Sequence, residues 1–372
     1  VSTRRTSRTV RIKSVYSVVP HDQNTVELRS GVWSPQSITL VDHSGGGRLS
    51  TLVMGLDGTR DRAQLAKEAG VTRTELEALI DHLDQLAVLE HGPSTALDAF
   101  LDRMASGRVE RAAFRHVRML GDGPAAAQVA QLLGVHEELS VSGPDQEDRL
   151  VALLDDCPLD LLEDGLAFER FVENFEDWRG CLLVHVADTV HPLRLAVLNR
   201  VALALDTPWI QAAVDGPLLL VGPTFVPDST ACFTCFETRV VMNLREGAAY
   251  QRYKQALAGA RTNGHAANGP AANGHTAEGH TAEGLSTEGR TADDGCAGVL
   301  SSLLASHAAL EAVNMAVTGT TSTVGKVLGI YLPSMEMVYS DVLRLPGCPS
   351  CGTVPERDGT EIYFDVRRWI DA

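Results

Sequence analysis

Positive charge is scarce in this chain. Its 372 residues carry 32 Lys and Arg against 48 Asp and Glu, a formal net charge of −16. A body of that sign repels phosphate backbones and anionic lipid, so neither nucleic acid nor a membrane surface is an expected partner. No run of about 18 apolar residues reads as a membrane span. The basic, polar stretch Val1 to Arg11 has no apolar core behind it of the kind a signal peptide needs. Cysteines are few and odd in number, seven in all, which fits a reducing cytosol better than a disulfide framework. What is present is a chain 44% hydrophobic, long enough for two cored domains.

Four of the cysteines are paired, Cys232/Cys235 in Ala-Cys-Phe-Thr-Cys-Phe and Cys348/Cys351 in Gly-Cys-Pro-Ser-Cys-Gly. Each Cys-x-x-Cys spacing folds a tight turn that aims both sulfurs at one point, so the four thiolates make a tetrahedral shell suited to Zn²⁺. Such an ion fastens a tertiary fold, because it ties together segments more than a hundred residues apart. Four sulfurs leave no open position for catalysis. Two disulfides or a thioredoxin-like redox pair are the alternatives. Cys157, Cys181 and Cys296 have no activating neighbours in the sequence, and read as small buried hydrophobes or inert thiols rather than nucleophiles.

The first ninety residues form a module of their own. Period-two stretches at Val10 to Val18, Thr25 to Arg29 and Ser37 to Asp42 alternate with turn chemistry. The period then changes to helical in Leu49, Leu52, Val53 and Leu56, stopping at Asp57-Gly58. Asp61 caps a short helix ending at Gly70, and Thr72-Arg73-Thr74-Glu75 reads as a capping box opening a third helix to about Leu89. Its apolar stripe is Leu76, Leu79, Ile80, Leu83 and Leu86. A small sheet followed by three helices is winged-helix-like. DNA reading by the third helix is disfavoured, since it carries Glu75, Glu77, Asp81 and Asp84 against Arg73 alone. Peptide capture by β-augmentation suits the arrangement better. The groove would lie between the edge strand Ser37, Ile38, Thr39, Leu40, Val41 and the helix face Leu76, Leu79, Ile80, Leu83. The order strand, Leu-rich helix, Asp57-Gly58-Thr59-Arg60, short helix, long helix resembles the PqqD-like recognition elements of ribosomal peptide natural-product pathways.

Beyond a connecting helix around Ser94 to Met104, the strand His116 to Leu120 runs into Gly121-Asp122-Gly123-Pro124-Ala125-Ala126. This is Gly-x-Gly-x-x-Ala opening an Ala-rich helix that reaches Leu133, the setting of a dinucleotide fingerprint. The ribose-binding acid that should follow is missing from a strand end. A further apolar strand, Cys181 to Val186, leads to Asp188, and a helix from Pro192 to Leu205 carries Arg194 and Asn199. Next come Pro208-Trp209-Ile210, paired strands at Gln211 to Val214 and Leu218 to Val221, and Gly222-Pro223 before the first cysteine pair. Gly259 to Gly295 collapses to Gly, Ala, Thr, Asn, His and Glu, which cannot bury a core and reads as a disordered loop. His265, His275 and His280 within it read as solvated spacer rather than metal ligands. An amphipathic helix, Leu300 to Val317, and strands at Val327 to Tyr331 and Met335 to Leu343 complete the pattern.

The ordered set of Gly-rich turn, Asp-x(5)-Arg-x(4)-Asn, Pro-Trp-Ile, Gly-Pro and two distant Cys-x-x-Cys pairs resembles the ThiF/MoeB superfamily of ubiquitin-activating-type enzymes over roughly Val117 to Gly352. That family adenylates a protein C-terminus with ATP and Mg²⁺. The resemblance implies that Gly121, Gly123, Ala126, Asp188, Arg194 and Asn199 mark the nucleotide site. Here the site looks vestigial: the ribose acid is missing, and no lysine occurs between Lys67 and Lys254 to neutralise phosphate. ATP binding and catalytic residues are therefore not expected, and an internal ion pair is the competing reading of Asp188 and Arg194. The expected architecture is α/β, with a PqqD-like winged-helix-like module over 1–92 and a degenerate Rossmann-like, zinc-containing ThiF-type domain over 93–372. Together these resemble the partner proteins of YcaO cyclodehydratases, which bind a precursor's leader peptide in the cytoplasm. A second copy of the chain is a further candidate partner. An active adenylating enzyme and a DNA-binding regulator are the alternatives.

Overall fold

The structure, a computed structural model, describes residues 9–33, 37–91, 95–104, 113–121, 123–143, 149–188, 190–262 and 294–352. The chain divides into two compact units, Val1–Arg111 with Val135–Glu138, and Ala112–Gly134 with Leu139–Ala372. The helix read from the sequence as a connector belongs to the first unit.

In chain order the first unit contains β1 (Thr9–Ile12), β2 (Ser17–Pro20), β3 (Thr25–Arg29), β4 (Ser37–Val41), α1 (Leu49–Gly55), β5 (Asp57–Asp61), α2 (Arg62–Ala69), α3 (Arg73–Gln85), β6 (Leu89–Glu90) and α4 (Ala96–Met104). The strands form two antiparallel sheets, β5-β1-β6 and β2-β3-β4. The helix starts follow local chemistry. Asp61 and Gln64 form a reciprocal capping box on α2, which ends at Gly70 in the left-handed region, and Thr72 and Glu75 form another on α3. Two expectations need correcting. The stretch Val10 to Val18 is not one strand: a turn in which the Tyr16 N–H donates to the Lys13 carbonyl sends β1 and β2 into different sheets. α1 ends at Gly55, ahead of Asp57-Gly58, and these two residues open β5. There Gly58 has φ +83°, and a Cβ at Gly58 would meet the Arg11 side chain at 3.3 Å. Val26, Leu28, Val53, Leu76, Ile80 and Leu83 form the centre of this unit's core.

The second unit contains β7 (His116–Gly121), α5 (Gly123–Gly134), β8 (Ser140–Ser142), α6 (Arg149–Asp156), α7 (Gly165–Val172), β9 (Leu182–Ala187), α8 (Pro192–Ala204), β10 (Trp209–Asp215), β11 (Leu218–Phe225), α9 (Phe233–Asn243), α10 (Gly247–Thr262), α11 (Asp294–Thr318), β12 (Lys326–Tyr331) and β13 (Glu336–Asp341). One sheet runs β13-β12-β11-β10-β9-β7-β8. β8, β7, β9 and β10 are parallel, and the remaining pairings are antiparallel. β9 is buried at all six positions, as an interior parallel strand covered on both faces must be. One face packs on α6, α7, the 3-10 turns of Glu173–Trp178 and α8 through Leu154, Phe168, Phe175, Trp178, Leu198 and Trp209. α5 and α11, packed on each other, also lie against β9. The parallel strand order reverses between β7 and β9, the switch point at which such sheets hold ligands.

α11 corrects another expectation. Gly298–Thr318 is long and apolar enough by composition to cross a membrane, yet 56% of its most apolar window is buried within the protein. Leu304, Ala305, Ala308, Ala312 and Ala316 have almost no exposure, so the apolar character serves helix and sheet packing. Of the Gly-rich stretch Gly259 to Gly295, residues 263–293 lie outside the described residues, together with His265, His275 and His280. The ends depart from the disordered reading: Gly259 to Thr262 finish α10, and Asp294 and Gly295 begin α11. The side chain of Cys296 is also outside the described set.

Candidate functional site

The two cysteine pairs are brought together by elements from distant parts of the second unit. Cys232 is the N-cap of α9 and Cys235 lies in its first turn, so the helix start presents both sulfurs on one side. The second pair sits in a turn closed by the Gly352 N–H donating to the Cys348 carbonyl at 2.8 Å. A Cβ on Gly352 would lie 2.5 Å from that oxygen, and Gly347 has φ +69°, so the flanking glycines are required by the turn. The Sγ atoms of Cys232 and Cys235 are 3.9 Å apart, those of Cys232 and Cys348 3.7 Å, and those of Cys235 and Cys351 3.5 Å. A disulfide needs about 2.05 Å, whereas a tetrahedron with metal–sulfur bonds of about 2.3 Å has edges of roughly 3.8 Å. All four sulfurs lie within 4.8 Å of one another and could hold one metal ion. The disulfide reading does not match these distances.

Around the sulfurs Ala231, Val327 and Val342 make a small apolar cluster. Burial raises the pKa of the Cys232 thiol, and burial followed by the neighbouring Cys232 raises that of Cys351. Burial opposes ionisation of Cys348 as well, but the N–H groups of Cys351 and Ser350 and the adjacent thiols outweigh it and hold that thiol below its ordinary value. The four sulfurs thus oppose one another's ionisation, and a bound cation would relieve that opposition. Two braces join the halves without metal. Arg239 donates to the Leu343 carbonyl at 2.9 Å, and Arg344 donates to the Thr230 carbonyl at 2.8 Å.

At the β7/β9 switch point the six residues assigned to a nucleotide separate into two groups. Gly121, Gly123 and Asp188 do meet. A Cβ on Gly121 would strike the Val186 carbonyl at 1.9 Å, and one on Gly123 would lie 2.2 Å from Asp188 Oδ2. The Asp188 carboxylate therefore rests at the start of α5, where a helix N-terminus would otherwise receive a phosphate. Ser301 donates to its other oxygen at 3.3 Å. Ala126 is fully buried in α5. Arg194 and Asn199 are directed elsewhere. Arg194 forms a bidentate ion pair with Asp155 on α6, both contacts at 2.7 Å, so the residue has the structural role that was the competing reading, with Asp155 as partner. The Asn199 Oδ1 accepts the Phe233 N–H at 2.8 Å, inside the first cysteine turn. Asp155 was missed by sequence reasoning. So were Thr234 and Ser350, whose hydroxyls meet at 2.8 Å between the two cysteine pairs. A signal for the last two was present: both motifs carry a hydroxyl residue at their third position, Cys-Phe-Thr-Cys and Cys-Pro-Ser-Cys.

His185 of β9 is only 1% exposed, and its Nε2 has no hydrogen-bond partner among the described residues. Burial, reinforced by the Arg194 guanidinium, depresses its pKa to about 3. Below its ordinary pKa of about 6.5 the unfolded chain takes up a proton that the folded chain refuses, so stability drains away as pH falls from there toward 3. The slope from this one group approaches about 1.4 kcal/mol per pH unit. His185→Leu should therefore show a shallower fall of melting temperature with pH over this window than the parent. Equal slopes in the two proteins would remove His185 from the acid response.

In the first unit, β4 pairs with β3 alone among the described strands, so its other edge is free. The Asp42 N–H donates to the Asn24 carbonyl at 2.8 Å. Backbone direction alternates along an antiparallel strand. In the observed register, Ile38 and Leu40 therefore turn their N–H groups to β3, while Ser37, Thr39 and Val41 turn theirs to the free edge. The helix half of the expected groove needs correcting. Leu76, Ile80 and Leu83 are at most 2% exposed and belong to the core, leaving Leu79 as the partly exposed member of that set. Trp33, 95% exposed in the turn ahead of β4, was passed over as turn chemistry.

No protein-family model and no curated protein matches the sequence. Solved structures do. The heterocyclase TruD aligns over 92% of this chain with a TM-score of 0.58 and 19% identity. A heterocyclase in complex with substrate and cofactor aligns over the same share with a TM-score of 0.57 and 17% identity. The chain spans 43% and 39% of their respective lengths. At these identities the likeness establishes the fold: over nine-tenths of its length this chain is built like part of a heterocyclase.

Proposed function

We propose that this protein binds the leader of a ribosomally made precursor peptide through its first unit. It then presents the core peptide to a separate, cytoplasmic YcaO cyclodehydratase for azoline formation. The observation that carries the reading is the free edge of β4, whose outward N–H groups offer an extended peptide a ladder to join. The module holding that edge is read as winged-helix-like and PqqD-like, and the second unit shares its fold with heterocyclases. Zn²⁺ is the ion assigned to Cys232, Cys235, Cys348 and Cys351, since four thiolates at tetrahedral spacing suit it. It supplies cross-linking of the fold, and no chemical step is assigned to it. Two observations support a presenting role over adenylation by this chain. Asp188 occupies the start of α5, and Arg194 is committed to Asp155.

The test uses fluorescently labelled leader peptides of azole-modified precursors. They should bind the full chain and a folded fragment ending at Arg111 with similar affinity, while ATP–pyrophosphate exchange stays at background. Binding by the full chain but not by the folded fragment would move recognition to the second unit. Robust exchange abolished by Asp188→Ala would replace the proposal with an adenylating enzyme.

A further inference from the structure

The ThiF/MoeB resemblance implies a nucleotide role for Asn199, yet its observed contacts belong to the cysteine site. It lies on α8 with no solvent exposure. Its Oδ1 accepts the Phe233 N–H at 2.8 Å, and its Nδ2 lies 3.4 Å from Thr234 Oγ1. Because a backbone N–H can only donate, the first contact fixes which end of the amide is oxygen and turns the NH₂ toward Thr234. Thr234 Oγ1 in turn lies 2.8 Å from Ser350 Oγ. Phe233 and Thr234 are the two residues between Cys232 and Cys235, and Ser350 lies between Cys348 and Cys351. One buried side chain therefore grips the backbone of the first pair and reaches the second through two hydroxyls.

The arrangement answers a need of α9. The first amides of a helix have no partner within it, and a cap residue ordinarily supplies one. Here the cap is Cys232, which makes no side-chain capping bond in the observed geometry. We infer that Asn199 is a positioning residue of the metal centre. It replaces the missing cap and, through Thr234 and Ser350, sets one cysteine pair against the other so that four sulfurs already face one point when the ion arrives. Asparagine suits the role because one planar group supplies both an acceptor and a donor. Aspartate would lose the donor and add charge beside four thiolates, and leucine would leave the Phe233 N–H buried without a partner. The inference rests on the metal reading above.

The experiment follows zinc release from the full-length, zinc-loaded protein into a chromogenic chelator. Thr234→Val removes the hydroxyl at nearly constant shape, Thr234→Ser keeps it, and Ser350→Ala breaks the link from the other side. Contacts that orient metal ligands typically contribute about 10- to 100-fold in affinity. Asn199→Ala, Thr234→Val and Ser350→Ala should therefore release zinc on the order of 10-fold faster than the parent, with Thr234→Ser close to it. A general packing role would not separate the valine and serine variants. Folded Thr234→Val and Ser350→Ala proteins that release zinc at the parental rate would overturn the inference, even if Asn199→Ala fails to fold. A parent that takes up no zinc would overturn it together with the metal reading, and metal analysis shows this before any variant is made.

Discussion

Stripping the metal from this protein should unfold its second unit and expose four reactive thiols. Purified chain is expected to contain about one Zn²⁺, held by Cys232, Cys235, Cys348 and Cys351. Structural zinc sites contribute on the order of 10 kcal/mol of apparent binding free energy that is also folding free energy. A whole domain usually has only about 5–15 kcal/mol in hand. Without the ion, four close thiols remain inside an apolar cluster. Among the metal-independent joins are two exposed arginine-to-carbonyl bonds, Arg239 to Leu343 and Arg344 to Thr230, and the Thr234–Ser350 hydroxyl contact, each worth about 1–3 kcal/mol at most. Chelation followed by far-UV circular dichroism and thiol titration should show cooperative loss of structure with the four thiols appearing together, reversed by added Zn²⁺. Cys348→Ser should behave like the chelated parent. Metal analysis returning none, with the cysteines oxidised in pairs, would sink the assignment.

Proline at two adjacent positions of β4 should have opposite consequences. Thr39 turns its N–H to the free edge, so Thr39→Pro should leave the hairpin intact and remove one bond to an added peptide strand. With the steric effect of the ring, leader affinity should fall at least about tenfold, corresponding to roughly 1.4 kcal/mol. Leu40 points its N–H into the β3–β4 ladder and its side chain into the core. Leu40→Pro should therefore remove a ladder hydrogen bond and cost the unit about 1–3 kcal/mol through the carbonyl left without its donor, visible as a lowered melting temperature without any ligand. A folded Thr39→Pro protein that binds leader peptide like the parent would place the peptide elsewhere. Leu79→Glu, at the partly exposed helix position, tests the other wall of the groove with the same fluorescence readout.

Features written in local chemistry were readable from the sequence. The cap at Asp61, the capping box at Thr72/Glu75 and the cysteine quartet each depend on a few neighbouring residues, and the structure has them where the sequence puts them, with Gln64 completing a second box at Asp61. The helix stripe Leu76, Ile80, Leu83 was read correctly as one apolar face. Periodicity cannot say whether a protein core or a ligand covers that face, and here it is the core. Arg194 and Asn199 show a different limit. Five residues on a helix amount to about 140° of rotation, so the two could not both aim at one ligand from adjacent turns. One pairs with Asp155 and the other with the cysteine turn. The segment from Arg149 to Trp178 escaped assignment altogether. It is built of short helical pieces whose packing is aromatic and tertiary, with Phe175 and Trp178 rings 4.8 Å apart, and none is long enough to establish a period.

The cysteine pairs are separated by 116 residues in the chain, yet both are fixed by groups at their own ends: α8 and α9 for the first, and the Arg239 and Arg344 bonds for the second. None of these anchors lies between the end of α10 and the start of α11. The clasp is therefore specified by its two ends, and the number of residues between the two cysteine pairs is not among its terms. A search for relatives that demanded a fixed interval would pass over chains with the same clasp.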